Sequence, residues 1–266
     1  MNPFDRRTVN LRALNSLTKY PSIPTYHQLD PKNGSLTDEV TEFAGQVIGT
    51  EKVDGTNARI ILLPPDDGGY LLGSRENLLY ANGDLIGDPS QGIVEHLREV
   101  ADNLSSVLNM EDDQLRVIYV ELYGGKIGGQ AKQYSTVGTV GWRLFDVATI
   151  PDLTDKLTWP RERIAAWRDG GYQEFVDEEK LHGFERVTGI ELAPRLFTIP
   201  AWALPTGIDE THEFLWKQLP GTGVALDDSA KGGAEGIVLR TPDRSVIAKA
   251  RFQDYERTLR RARKAS

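Results

Sequence analysis

Short apolar blocks separated by turn residues run through most of the chain. Val47 and Ile48 form one block and residues 60–63 another, and between them lies the polar stretch Glu51, Lys52, Val53, Asp54, Gly55, Thr56 and Asn57. Blocks of this length bounded by turn signals read as strands. Lys52 therefore falls at a strand end beside an Asp-Gly turn. Residues 64–69 (Pro-Pro-Asp-Asp-Gly-Gly) form a second turn and residues 70–74 return as a strand, which predicts a hairpin. Residues 90–109 carry the helical period: Ile93, Val94, Leu97, Val100, Ala101, Leu104, Val107 and Leu108 share a face, with Ser90 as the candidate cap. Residues 116–122 and 140–147 read as strands around a long glycine-rich, lysine-bearing loop, 124–136.

The remaining pattern is weaker. Residues 19–24 are an extended segment, because each proline biases its predecessor away from helix, and residues 30–38 are a polar loop. Residues 160–169 predict a short helix with proline near its start and Gly170 and Gly171 beyond its end. Residues 175–181 and 209–218 are further helical candidates. Residues 219–234 are polar and glycine-rich, with mobility expected. Two last strands follow, 236–240 and 246–252, joined at Pro242 and Asp243. The terminal stretch 254–266 places Arg257, Arg260, Arg261, Arg263 and Lys264 on a helix.

Composition narrows the chemistry. The 266 residues suffice for one large core without staples. With no cysteine, disulfides, thiolate metal sites and cysteine nucleophiles are excluded. No apolar run reaches the roughly 18 residues of a membrane helix, so the expectation is a soluble cytoplasmic protein. The net charge of -8 argues against a surface coated for nonspecific nucleic-acid binding but permits a local basic groove. Asp146 follows Phe145 in a strand and should point to the opposite face. The four histidines lack metal-ligand spacing, and Gly124, Gly125 and Lys126 lack the serine or threonine of a P-loop.

A lone lysine beside a turn is ordinarily a solvated charge. Here it heads an ordered series at strand ends: Ser74 and Arg75, Glu121, Phe145, Glu235 before Gly236, and Lys249 with Arg251. In that order the residues resemble the covalent nucleotidyltransferase superfamily of ATP-dependent polynucleotide ligases and capping enzymes, whose signature Lys-x-Asp-Gly is met at Lys52 to Gly55. Glu51 to Asn57, and Glu121 to Gly124 with Lys132 and Tyr134 beyond, most resemble the RNA ligase branch.

The resemblance implies an α+β nucleotidyltransferase domain, ATP-grasp-like, of antiparallel sheets flanked by helices. It would span residues 1–252 and carry a basic C-terminal helix or tail at 253–266, with no C-terminal OB domain. It further implies an ATP-dependent RNA ligase joining 5′-phosphate and 3′-hydroxyl ends through a lysyl-AMP intermediate. Lys52, Lys249 and Arg251 would be catalytic. Glu51, Asn57, Arg75, Glu121, Phe145, Glu235 and Lys249 would bind the nucleotide, and Glu235 and Glu121 would hold Mg²⁺ or Mn²⁺. The partner would be RNA, including a nicked duplex or an RNA–DNA hybrid. The physics agrees: a free lysine titrates near ~10.4, and neighbouring cations would lower it for attack while neutralising a triphosphate. The alternatives are a DNA ligase, a GTP-dependent capping-type enzyme, or a non-catalytic protein that binds nucleic-acid ends or nucleotides.

Overall fold

Two antiparallel sheets divide the strands, and the chain passes between them at the Asp-Gly turn. In the computed structural model, residues 8–81 and 83–265 are described. After α1 (Leu11–Leu17), β1 (His27–Leu29) and β2 (Leu36–Val40) form a small ribbon. The remaining strands are β3 (Gln46–Lys52), β4 (Thr56–Leu62), β5 (Tyr70–Ser74), β6 (Leu78–Ala81), β7 (Asp84–Leu85), β8 (Leu115–Gly124), β9 (Val140–Ile150), β10 (Glu174–Phe175), β11 (Arg195–Pro200), β12 (Gly236–Arg240) and β13 (Ile247–Arg251). One sheet runs β10-β9-β8-β4-β5-β6-β7 and the other β11-β3-β12-β13. The fold is thus α+β with antiparallel sheets, as expected.

Three apolar layers hold the sheets. One face of the larger sheet packs Ile60, Leu72, Ile118 and Val147 against α2 (Ile93–Val107) and α5 (Glu178–Thr188), through Ile93, Leu97, Leu104 and Leu181. The other packs Ile61, Leu71, Val117 and Ala148 against α1 and α4 (Arg161–Asp169), with the short α3 (Leu153–Lys156) beside them. In the smaller sheet Val47, Ile237, Leu239, Ala248 and Ala250 face α6 (Ile208–Gln218) and α7 (Phe252–Ala265), through Leu215 and Tyr255. Burying these aliphatic side chains is worth about 1.5–3 kcal/mol each relative to exposure.

The predicted hairpin is present, with Leu62 opposite Tyr70 and Ala58 opposite Ser74. Other expectations need correction. The long helix starts at Ile93 after Gly92, without a side-chain cap, so Ser90, whose side chain lies outside the described residues, is not the residue before it. Val107 is exposed rather than on the packed face. The candidate helix at 175–181 instead begins at Glu178, after the Asp177 carboxylate accepts from the Lys180 N–H, and Phe175 pairs as a strand with β9. Residues 36–40, read as loop up to 38, pair with β1. After β13 the described residues form α7. No described helix is long and apolar enough to cross a membrane.

Candidate active site

β3 ends at Lys52 and β4 begins at Thr56, so Val53, Asp54 and Gly55 carry the chain from the smaller sheet to the larger. The crossing leaves no room at Gly55: a Cβ there would lie 1.9 Å from the carbonyl oxygen of Leu122. Two hydrogen bonds fix the turn. The Gly55 N–H donates to Glu121 Oε1 at 3.1 Å, and the Asp54 N–H donates to the Tyr134 hydroxyl at 2.6 Å. Val53 packs behind them with Tyr123, Tyr134 and Val224.

Strand alternation then assembles the site. In the smaller sheet Lys52, Gly236 and Arg251 are cross-strand neighbours, as are Thr50, Val238 and Lys249. In the larger sheet Asn57, Glu121 and Arg143 form a row over β4, β8 and β9. Lys52, Thr50, Val238 and Lys249 from the first sheet, and Asn57, Glu121 and Arg143 from the second, line one cleft of about 820 Å³. Glu235, Arg75, Phe145, Tyr20 and Arg240 also border it.

Lys52 Nζ lies 2.5 Å from Glu235 Oε2, with the two side chains 27% and 19% exposed. Burial pushes the Glu235 carboxyl up, against the pull of Lys52. Burial likewise pushes Glu121 up to about 8, with Glu235 and Asp54 adding to the rise and Lys52 and the Gly55 N–H opposing it. Lys249 is held below the usual lysine range by burial and by the cations Arg251, Lys52 and Arg75. Both directions favour less charge in the cleft, which a polyphosphate with its counter-ion would reverse.

The structure brings together Lys52, Asn57, Arg75, Glu121, Phe145, Glu235 and Lys249. Arg251 sits at the expected register, but its guanidinium turns to Asp254, with Nε 2.8 Å from Oδ2, and it does not line the cleft. Asp254 opens α7 three residues on, so the helix start captures the arginine. Glu51 borders the cleft, yet alternation sets its side chain on the face opposite Lys52. Its carboxylate accepts from Thr222 Oγ1 at 2.6 Å and from the Gly223 N–H at 2.8 Å. It braces the loop 219–234 rather than facing a ligand. That loop, expected to be mobile, is tied down by these bonds and by donation from Leu226 and Lys231 N–H groups to the carbonyls of Tyr134 and Lys132.

Asp146 is a further correction. The β8–β9 register shifts between Tyr119 and Val120, which pair with Asp146 and Leu144. The extra residue, Phe145, is a bulge that leaves Phe145 and Asp146 on one face. Phe145 meets Tyr20 edge-on with ring centres 5.1 Å apart, while buried Asp146 accepts from the Tyr20 hydroxyl at 2.8 Å and from Arg244 Nε at 2.9 Å. Asp146 stays outside the cleft but braces its aromatic wall. Arg143 and Arg240 were not anticipated as cleft residues. Arg143 lies two residues before Phe145, so the period of a strand already pointed to it. Arg240 showed no such signal, since its place depends on the pairing of β12 with β3.

The cleft suits a nucleotide in size, and Asn57 Oδ1 is buried in it without a hydrogen-bond partner, leaving an acceptor for a ligand donor. No group of three His, Cys, Asp or Glu among the described residues is arranged to hold a metal. A divalent ion here would use one or two of Glu121, Glu235 and Asp54 and complete its shell with water and phosphate oxygens, the habit of Mg²⁺.

Comparisons with known proteins bear on the family and the fold. The profile of the RNA ligase family matches residues 45–252. No curated protein matches the chain in sequence. Among solved structures, a Naegleria gruberi RNA ligase with pyrophosphate is similar at a TM-score of 0.57 and 14% identity, covering 92% of this chain and 59% of that one. A mutant of a Naegleria gruberi RNA ligase with ATP and Mn is similar at 0.54 and 13%, covering 90% and 57%. An archaeal ATP-dependent RNA ligase gives 0.48 and 18%, covering 92% and 51%. The chain thus spans less than two thirds of the length of these relatives.

Proposed function

The chain belongs to the RNA ligase family of covalent nucleotidyltransferases, and from that premise we propose that it is an ATP-dependent RNA ligase joining a 5′-phosphate to a 3′-hydroxyl. The observation that carries the reading is the Lys52 amine. It is backed by a turn with no space for a Cβ, paired with Glu235 at 2.5 Å, and set in one cleft with Lys249 and Arg75.

In this reading the amine gives up a proton, which Glu235 is placed to take, and its nitrogen attacks the α-phosphorus of ATP. The P–N bond forms as the bond to the pyrophosphate oxygen breaks, leaving lysyl-AMP. The AMP then passes to a 5′-phosphate on the nucleic acid, and a 3′-hydroxyl displaces it to close the phosphodiester. Lys249 and Arg75 would offset phosphate charge, and Arg251 could join them only by leaving Asp254. Phe145 would stack against the base, with Tyr20 behind it. Asn57 would accept from a nucleotide donor, and Glu121 would hold the Gly55 turn and the sugar or metal side of the ligand. Mg²⁺ or Mn²⁺ held by Glu235 and Glu121 would supply charge neutralisation on the polyphosphate. Catalysis is then mostly positioning and charge stabilisation. We assign the adenylyltransferase unit to residues up to 252 and leave α7 outside the chemistry.

The test is transfer of label from α-phosphate-labelled ATP to the protein. Lys52→Ala should remain folded and take no label, and persistent labelling would remove Lys52 from the nucleophile role. A sealing assay with the two strands varied between RNA and DNA decides the polymer. Sealing of DNA nicks alone, or labelling by GTP alone, would overturn the RNA ligase reading.

A further inference from the structure

We propose that one face of α7 is a binding track for the phosphate backbone of the RNA. This rests on the RNA ligase reading above and extends it to a surface outside the chemistry.

α7 separates its residues cleanly. Phe252 and Tyr255 pack on the smaller sheet, while at 100° per residue Gln253, Arg257, Arg260, Arg261 and Lys264 form a stripe on the opposite side. These five residues border a shallow groove of about 320 Å³. Arg257 and Arg261 are anchored from behind. Arg257 donates to the Gly34 carbonyl at 2.6 Å and to Asp254 Oδ1 at 2.8 Å, and Arg261 donates to the Asn33 carbonyl and to Ser35 Oγ. Arg260 and Lys264 are exposed and make no ion pair among the described residues. Of the acids on the helix, Asp254 is buried between Arg251 and Arg257, and exposed Glu256, one turn before Arg260, makes no ion pair among the described residues.

Two features distinguish this stripe from an ordinary solvated helix face. It is concentrated positive charge on a chain whose net charge is -8, so it is the place where a polyanion is drawn despite the acidic total. It also begins where the strand carrying Lys249 ends: Arg251, cross-strand partner of Gly236, shares the buried Asp254 carboxylate with Arg257, so positive groups lead from the end of β13 around the sheet edge onto α7. From Arg257 to Lys264 the helix rises about 10 Å, room for more than one phosphate. The two exposed cations carry a defined salt signature, since each phosphate neutralised on a single strand adds about 0.7 to the slope of log affinity against log salt.

The experiment compares wild type with Arg260→Gln/Lys264→Gln, which keeps helix propensity and leaves the braced arginines intact. Binding of a single-stranded 5′-phosphorylated RNA is measured from low to moderate salt, alongside label transfer from ATP without RNA. We expect label transfer unchanged, weaker RNA binding at low salt, and a salt slope smaller by about 1.4. An unchanged slope in a wild type that binds and seals RNA overturns the track alone, whereas a wild type that neither binds nor seals RNA overturns the RNA ligase reading itself. Loss of label transfer in the variant overturns the track by showing that α7 supports the chemistry. Wild-type binding of polyglutamate as tight as that of RNA, lost in the variant, overturns it in favour of an acidic protein partner.

Discussion

Replacing Glu121 by glutamine should make the nucleotide-free protein more stable, and only above acidic pH. Glu121 is half-buried under the cleft, and its carboxyl titrates at about 8 rather than at the ordinary 4.5, chiefly because burial disfavours the charge. The sign follows from proton binding. Below about 4.5 the group is neutral in both folded and unfolded chains and costs nothing. Between about 4.5 and 8 the folded chain keeps a proton that the unfolded chain releases, so stability falls as pH rises through that window, and the loss is constant beyond it. At ~1.4 kcal/mol per pH unit the ceiling is about 5 kcal/mol. Water reaches the side chain, so about 2–3 kcal/mol is expected at pH 9. Glutamine retains an oxygen to accept the Gly55 N–H, so the turn survives the change. Thermal unfolding without nucleotide, from pH 5 to pH 9, should give the variant a midpoint higher by about 5–10 °C at the alkaline end, converging with wild type at the acidic end. The same variant should bind ATP more weakly. A difference independent of pH, or a less stable variant at pH 9, would refute the reasoning.

Two further substitutions probe the walls around Lys52. Tyr134→Phe removes the acceptor for the Asp54 N–H and should cost about 1–3 kcal/mol, while slowing self-labelling at saturating ATP with little change in KM. Undiminished labelling would reduce Tyr134 to a packing residue. In Gly236→Ala the new Cβ would meet the Ala250 carbonyl oxygen at 2.2 Å, forcing β12 from β13. Denaturant unfolding should show a loss of at least about 1–3 kcal/mol, and unaltered stability would mean the two strands part easily.

The sequence was most legible where one local period decides the structure. The hairpin of β4 and β5, the inward face of α2 and the strands β8 and β12 followed from apolar spacing and turn residues alone. β11 did not, because it runs between prolines at an edge with its side chains half-exposed, and β2 did not, because Thr37, Asp38 and Glu39 make it look like loop. For the site, residue order along the chain located Lys52, Glu121, Glu235 and Lys249, but it could not show which way a side chain turns. Glu51 lies one position from Lys52, so alternation sets it on the other face, where it meets Thr222 and Gly223 from a distant loop, while Arg251 was drawn aside by nearby Asp254. Asp146 was misplaced for a different reason. Strict alternation fails at a bulge, and nothing in Phe145-Asp146 announces one.

The two glycines beside Lys52 fix the backbone of the amine proposed above as the nucleophile. Gly55 packs on the Leu122 carbonyl and Gly236 on that of Ala250, each at a distance that admits no side chain, and Gly236 is the cross-strand partner of Lys52. The backbone that carries the lysine is therefore positioned by main-chain packing on both sides, independently of Glu235. Breaking the 2.5 Å pair, whether by protonating Glu235 or by drawing it to another cation, frees the side chain and leaves the backbone that carries it where it was. Had the salt bridge set the backbone position as well, the step that frees the amine would also have shifted the strand end that carries it.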